Sequence, residues 1–177
     1  MLNSNSLEPP STFSLYLDVE CYYADITVPQ DRILSEWIEQ TLFELIKLNK
    51  IKETTYSLSI RVVDETDSQH LNNQYREINS PTNVLSFPFE VPEIFKDQQQ
   101  QVILGDLVIC APIVEKESLQ QNKTIEEHWA HMVVHGVLHL LGYDHLNNKD
   151  AEEMEKMEVN ILSALGYRNP YMDNSNE

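Results

Sequence analysis

Apolar residues recur every three or four positions in several stretches of the chain, which is the spacing of an amphipathic helix. One such stretch covers residues 31–48. A second covers residues 149–165, where acidic residues occupy the other side and Gly166 ends the pattern. Shorter helices are predicted at residues 67–77 and 112–121. These helical stretches alternate along the chain with extended segments.

Four segments rich in apolar residues, partly alternating with polar ones, predict β-strands. They are residues 13–20, 56–64, 83–90 and 101–111. Pro88 has no N–H to donate, so its segment is expected at the edge or the end of the sheet. Gly105 is expected to mark a bulge or a close approach of two backbones.

Together these elements predict an α+β fold, in which a small mixed sheet of about four strands packs against several helices. The length of 177 residues is typical of one domain, so residues 1–177 are expected to form a single domain. The polar ends, residues 1–11 and 173–177, are expected to be flexible. The glutamine-rich residues 91–101 are expected to form an exposed loop.

The composition restricts the class of protein. The formal net charge of −17 is large for this length and by itself argues against a protein that binds a polyanion. Cys21 and Cys110 stand outside any CxxC pattern, which indicates a reducing compartment. The sequence contains neither a signal-peptide pattern nor an apolar run of the ~18 residues that a membrane span needs. We therefore expect a soluble, cytoplasmic protein that does not contact a membrane.

One further helix has an unusual composition. Thr124 followed three residues later by Glu127 is the capping-box signature of a helix start, and Gly142 is a typical residue just beyond a helix end. Between them lie four of the six histidines of the chain, at steps of three, four and four residues: His128, His131, His135 and His139. This spacing places all four along one side of the helix.

The end of this helix is predicted to hold a metal ion. His135 and His139 are one turn apart, about 6 Å along the axis, so their imidazoles can converge on one ion at the Zn–N distance of about 2.0–2.1 Å. Gly142 lets the chain turn back and bring His145 to the same point. Three histidines and an open fourth position are typical of a catalytic zinc site, because structural sites are closed by four protein ligands. We expect one Zn²⁺.

The other two histidines have less specific interpretations. His131 is expected either to hold a metal ligand in place or to face the substrate, and His128 is expected to be structural. In an alternative interpretation, all of these histidines are polar helix residues that face solvent. The apolar residues around them disfavour that alternative.

The pattern H-x-x-x-H-x-x-G-x-x-H resembles the zinc site of the metzincin proteases, H-E-x-x-H-x-x-G-x-x-H. In those enzymes the glutamate after the first histidine is the general base that accepts a proton from water. Gly136 occupies that position in this chain. The ligand spacing is kept and the base is lost, which indicates a substrate other than a peptide.

The segment "HGVLHLLGYDH", residues 135–145, resembles the signature of the YbeY family of bacterial rRNA-maturation endoribonucleases. Three further segments resemble the family in the same order: "YREINSPTNVLSFPFE" (75–90), "LGDLVIC" (104–110) and the "GY" at residues 166–167. The resemblance covers roughly residues 55–170. The N-terminal third of the chain is less distinctive.

The resemblance implies a zinc-dependent hydrolase of single-stranded RNA that matures the 3′ end of small-subunit rRNA and contributes to ribosome quality control. It implies ribosomes or ribosomal proteins as partners. It identifies His135, His139 and His145 with the zinc ligands of the family and Arg76 with its active-site arginine. The family's "YRGKDKPT" type of segment is less basic here, as "YREINSPT", which weakens the expected RNA contacts beside Arg76.

Phosphodiester cleavage must stabilise negative charge on the phosphoryl oxygens. Zn²⁺ acting as a Lewis acid and the bidentate guanidinium of Arg76 can both do this. The residues leave the general base open. Asp144 either orients an imidazole or accepts a proton, or it only forms the turn after the helix. Ser86 and Asn83 are candidates for contacts with the substrate.

The acidic composition restricts how RNA can be bound, because only 12 residues are Lys or Arg. The basic residues closest together are Lys47, Lys50, Lys52 and Arg61. Modest intrinsic affinity for RNA is expected, with delivery by basic ribosomal partners. Two other functions stay open at this point: a metal-dependent hydrolase of another substrate such as a peptide, and a non-catalytic ribosome-assembly factor with a structural metal.

Overall fold

A computed structural model describes residues 13–23, 28–92, 101–144 and 147–172. Its elements follow each other as β1 (Ser14–Cys21), α1 (Asp31–Lys47), β2 (Thr55–Val63), α2 (Glu65–Arg76), β3 (Val84–Pro88), β4 (Gln101–Cys110), α3 (Ala111–Gln120), α4 (Ile125–Leu140) and α5 (Asn148–Ala164). Within these residues the predicted α+β class and the four-stranded sheet are confirmed.

The sheet is mixed, with the strand order β1-β2-β4-β3. β1 pairs with β2 and β2 pairs with β4 in parallel, whereas β3 runs antiparallel to β4. β3 therefore forms one edge of the sheet, and its last residue is Pro88. This is the position that the missing N–H of proline predicts.

Gly105 marks an irregularity in β4. The pairing of β4 with β2 shifts between Ser57 and Leu58, so that Leu104 has no partner in the register. Gly105 follows with a φ of 130°, in the region that favours glycine. A Cβ atom here would collide with the backbone carbonyl oxygen of Phe87. Both predictions for Gly105, a bulge and a close approach of two backbones, are confirmed.

The two faces of the sheet carry two separate apolar clusters. The main core lies on the face that α1 and α4 cover, and its largest fully buried side chains include Trp37, Trp129 and Tyr56. On the other face, Leu71 of α2 packs against a smaller cluster, formed by Val63, Leu85, Val108 and Cys110. Neighbouring residues of a strand point to opposite faces, so α2 and α4 lie on opposite sides of the sheet.

Most predicted boundaries agree with the structure to within two residues. α2 begins two residues earlier than predicted, because the Asp64 side chain accepts a hydrogen bond from the Asp67 backbone N–H at 2.8 Å and caps the helix. The predicted flexible ends, and residues 93–100 of the predicted loop, lie outside the described residues. None of the helices in the described segments is long and apolar enough to cross a bilayer.

α4 begins at the capping box that the sequence predicts. The Glu127 backbone N–H donates to Thr124 Oγ1 at 3.1 Å, and the Thr124 backbone N–H donates to the Glu127 carboxylate at 2.9 Å. Two N–H groups that would otherwise lack partners at the helix start are therefore satisfied. The start of the most buried helix of the described segments is thus fixed at one residue.

We expect Thr124→Ala to lower the free energy of unfolding by about 1 kcal/mol, because the helix loses its cap. The measurement is urea unfolding followed by circular dichroism. The control is Thr66→Ala, at an exposed position in the first turn of α2 for which no side-chain hydrogen bond is found among the described residues. Equal stability of the two variants would contradict this account of the cap.

Candidate metal centre

The exposure of the four histidines of α4 increases from the start of the helix to its end. His128 and His131 are 2% and 8% exposed. The His135 side chain is 22% exposed, and His139 is half-buried. The helix thus presents a buried pair of histidines at its first turns and an accessible pair near its end. Within the stripe, His135 and His139 are therefore the side chains that a ligand from solvent reaches most readily.

His135 and His139 converge through the same ring nitrogen. The distance between their Nε2 atoms is 3.1 Å, and their ring centroids are 4.6 Å apart. Two nitrogens bound to one zinc ion at tetrahedral angles, each at about 2.0–2.1 Å, are about 3.3–3.4 Å apart. The side chains thus already hold nearly the separation that two zinc ligands require, so these residues fit a metal ion.

The other ring nitrogen of His135 contacts a carboxylate that the sequence analysis did not single out. Glu158 of α5 is 0% exposed, and its Oε1 lies 2.5 Å from His135 Nδ1. Its Oε2 accepts a hydrogen bond from the Tyr171 hydroxyl. His131 Nε2 lies 3.5 Å from that same Oε2 atom. A buried carboxylate is therefore surrounded by two imidazoles and a phenol.

Hydrogen bonds keep Glu158 ionised despite its burial. Burial alone would raise its pKa, but the hydrogen bonds from His131 and His135 outweigh this effect and lower the pKa to about 2. Burial lowers the pKa of His131, so this imidazole is neutral near pH 7. Burial and the bond to Glu158 raise the pKa of Tyr171 above its ordinary value. The cluster is thus one negative carboxylate that accepts from its neighbours.

A second set of ligand atoms in this cluster is also close enough to hold a metal. One atom each of His131, His135 and Glu158 lie within 4.8 Å of one another. The 2.5 Å between His135 Nδ1 and Glu158 Oε1 is, however, a hydrogen-bond length and is shorter than the separation of two tetrahedral zinc ligands. Glu158 is also wholly buried. The geometry favours the pair of Nε2 atoms as the metal-facing side.

His128 lies at the buried end of the stripe and joins three elements. Its Nε2 is 2.7 Å from a carboxylate oxygen of Glu117 in α3. Asn83, just before β3, donates to both oxygens of that carboxylate. Burial opposes ionisation of Glu117, but the hydrogen bonds from His128 and Asn83 lower its pKa. In this structure Asn83 and His128 therefore connect α3, α4 and β3.

Arg76 is the last residue of α2 and is exposed. Within the part of the chain that the structure describes, it makes no hydrogen bond or ion pair to the histidines of α4. The segment after it is held against α2: Ser68 Oγ donates to the carbonyl of Thr82, and Asn72 donates to the carbonyl of Ser80. Arg76 is thus followed by a fixed connection to the edge strand β3.

Three other predicted residues have different positions relative to the histidines. Ser86 of β3 donates to the carbonyl oxygen of Gly136 at 3.2 Å, so it contacts the backbone of α4. Asp144 is exposed in the turn that follows α4. His145, the third predicted ligand, lies outside the described residues. The structure thus brings two of the three predicted ligands together and does not test the third.

Gly136 allows α4 to lie close to the sheet. A Cβ atom at this position would come within 2.8 Å of a methyl group of Leu107 and 3.4 Å of a methyl group of Val84. A glutamate here would therefore push its carboxylate into the apolar contact between α4 and the sheet. The position is occupied by glycine for a packing reason, in addition to the chemical consequence that the sequence predicts.

Two comparisons with known proteins agree with this architecture. A family model described as "Endoribonuclease YbeY" matches residues 18–166. The solution structure of TM1509 from Thermotoga maritima superposes with a TM-score of 0.51 at 23% sequence identity, covering 93% of this chain and 99% of that chain. At this identity the structural likeness concerns the fold alone.

We expect Gly136→Glu to destabilise the protein by several kcal/mol and to confer no peptide hydrolysis, because it buries a carboxylate without a partner. Thermal unfolding and a casein digestion assay measure the two effects. Gly136→Ala is the control for crowding alone, and its loss should be smaller, since alanine gains up to about 1 kcal/mol over glycine in a helix interior. A stable glutamate variant with peptidase activity would contradict this explanation of Gly136.

Proposed function

The chain belongs to the YbeY endoribonuclease family, and on that premise we propose that it is a zinc-dependent endoribonuclease specific for single-stranded RNA. Membership of the family implies a nuclease of rRNA processing, with RNA as its substrate. The finer role that we propose is maturation of the 3′ end of small-subunit rRNA and ribosome quality control in the cytoplasm. The observation that supports zinc dependence is the 3.1 Å approach of His135 Nε2 and His139 Nε2.

We assign the metal ligands to His135, His139 and His145. Imidazole nitrogens are typical ligands of zinc, and three of them leave a fourth position for the reacting groups. The first two are placed by consecutive turns of α4, so their separation is fixed by the helix. His145 follows a turn that begins at Gly142, whose φ of 93° favours glycine.

When bound, the ion supplies Lewis-acid stabilisation of the charge that develops on the phosphoryl oxygens and lowers the pKa of water. The chain's own residues have to position the RNA and move the proton. Arg76 offers two parallel N–H donors to a phosphate. Glu158 is excluded as the base, because it is wholly buried and both of its oxygens accept hydrogen bonds. Asp144, exposed beside the end of α4, is the candidate for this role.

The charges of the surface support delivery of the RNA by a partner. Three of the four basic residues that the sequence places close together are paired with carboxylates: Lys47 with Glu44, Lys50 with Glu153 and Arg61 with Glu20. Such pairs leave little net positive potential to attract a polyanion. Basic ribosomal proteins would be attracted by the same surface, so we propose that they bring the enzyme to rRNA.

Neither of the other functions is favoured by a specific observation. Peptide hydrolysis by the related zinc-protease mechanism would require a base at position 136, where even a Cβ atom would come within 2.8 Å of a methyl group of Leu107. A structural metal would require a closed site, whereas His135 and His139 lie at the accessible end of their stripe.

We expect His139→Ala to lose the bound metal and to lower the cleavage of single-stranded RNA by at least 100-fold, because one of three ligands is removed. Metal analysis of the purified protein and a gel assay with a labelled oligoribonucleotide measure these effects. His70→Ala is the control, since this histidine is exposed on α2. Full metal content and full activity of the His139 variant would refute the ligand assignment.

For Arg76→Ala we expect unchanged metal content and unchanged melting temperature, with a loss of RNA cleavage of about 10²-fold, because a charged donor to the phosphate is removed. Steady-state kinetics on the same oligoribonucleotide provide the measurement. The matched control is Arg32→Ala, an exposed arginine of α1 that pairs with Glu36. Equal activity of the two arginine variants would rule out a phosphate-binding role for Arg76.

A further inference from the structure

We propose that Glu158, held in turn by Tyr171, is the residue that positions His135 for metal binding. The inference rests on the proposed function in that it takes His135 as a metal ligand. It adds the two residues that decide how this ligand is oriented, one from α5 and one from the C-terminal segment.

The first step is the choice of ring nitrogen. A neutral imidazole carries a proton on one nitrogen and a lone pair on the other, and a metal needs the lone pair. Glu158 Oε1 lies 2.5 Å from His135 Nδ1. An ionised carboxylate can only accept, so the proton is on Nδ1 and the lone pair is on Nε2. That is the nitrogen that lies 3.1 Å from His139 Nε2.

The second step is the burial of the carboxylate. Glu158 is 0% exposed, and a charge in such a place is tolerated only when it is fully hydrogen-bonded. Its position on α5 is one turn from Met154 and next to Met157, both buried, so the helix cannot release it to solvent. Because the carboxylate cannot turn towards solvent, the direction from which it accepts the hydrogen bond of His135 is fixed.

The third step is the role of Tyr171, which lies beyond the end of α5. Its hydroxyl donates to Glu158 Oε2, and its ring packs edge-on against His131 at a centroid distance of 5.5 Å. The second oxygen of the carboxylate is thereby held, and Oε1 is left for His135. His131 Nε2 lies 3.5 Å from the same Oε2 atom, so the imidazole and the tyrosine hydroxyl both approach this oxygen.

The segment that carries Tyr171 is fastened to the start of α4. Tyr167 donates to the Glu126 carboxylate at 2.6 Å, and Arg168 pairs with Glu127 at 2.9 Å. The C-terminal segment therefore runs along the helix that carries the histidines, and Tyr171 reaches the back of the site from this anchored position. Residues far apart in the sequence thus form one support for a single ligand.

The test is the zinc affinity of the metal-free protein, measured by competition with a chromophoric chelator. For Glu158→Gln, which keeps the size but removes the charge, we expect an affinity about 10–100-fold below wild type. For Tyr171→Phe, which removes one hydroxyl, we expect a smaller loss. The matched control is Tyr22→Phe, which also removes a hydroxyl that donates to a carboxylate, that of Glu20 in β1 and outside the proposed support; it should bind zinc like wild type.

A second readout separates positioning from folding. Long-range ¹H–¹⁵N spectra of the metal-free protein report which nitrogen of each histidine carries the proton. Wild type should show the Nδ1–H form of His135, and Glu158→Gln should lose this preference while its circular dichroism spectrum is unchanged. If Glu158→Gln fails to fold, Tyr171→Phe with reduced affinity and unchanged melting temperature carries the same conclusion.

The outcomes distinguish this proposal from the proposed function. Wild-type affinity together with the Nδ1–H form in Glu158→Gln overturns the positioning role, even if wild type cleaves RNA. Complete loss of zinc in Glu158→Gln with normal binding in His139→Ala also overturns it, because Glu158 would then be a ligand itself. Weakened zinc binding in Glu158→Gln and Tyr171→Phe supports the positioning role. If wild type nevertheless does not cleave RNA, the proposed nuclease function is refuted while the positioning role stands.

Discussion

The close approach of α4 to the sheet is the constraint on which the candidate site depends. Gly136 makes this approach possible, because any larger residue would meet the methyl groups of Leu107 and Val84. With that side of the helix fixed against the sheet, His131 and His135 face α5 and the C-terminal segment. The buried carboxylate of Glu158 lies in that direction. The orientation of these two histidines is therefore a consequence of helix packing.

Much of the fold could be predicted from the sequence, and so could the stripe of histidines along α4. Apolar spacing located the helices and strands, and the missing N–H of Pro88 placed β3 at an edge. The stripe of histidines was visible because helical spacing is local. The role of Glu158 is hard to predict because α5 carries many acidic residues, and residue type alone does not distinguish a buried glutamate from the exposed ones. A sequence signal did exist: Glu158 lies between Met157 and Ile161, on the buried side of the helix.

Tyr171 could not have been found in this way. Its contact with Glu158 depends on how the segment after α5 folds back, and that path is set by long-range pairs such as Arg168 with Glu127. Spacing rules cover neighbours within a few residues of one element. They do not show which element will cover another. Patterns within one element are thus predictable, whereas contacts assembled from distant segments, such as those around Glu158, are visible only in three dimensions.

The position of the Glu158 carboxylate also restricts which residue can act as a general base in the site. A peptidase of the related zinc-site pattern places a glutamate on the metal-facing side as its base. Here the carboxylate nearest to His135 lies behind the imidazole, wholly buried and bound on both oxygens, so it cannot take part in proton transfer with a substrate. In the positioning role proposed above, its negative charge would strengthen the imidazole of His135 as a ligand. In the proposed reaction, charge that develops on the phosphoryl oxygens would be stabilised by the ion and by Arg76, and the proton would have to move through a group other than Glu158, for which Asp144 is the candidate.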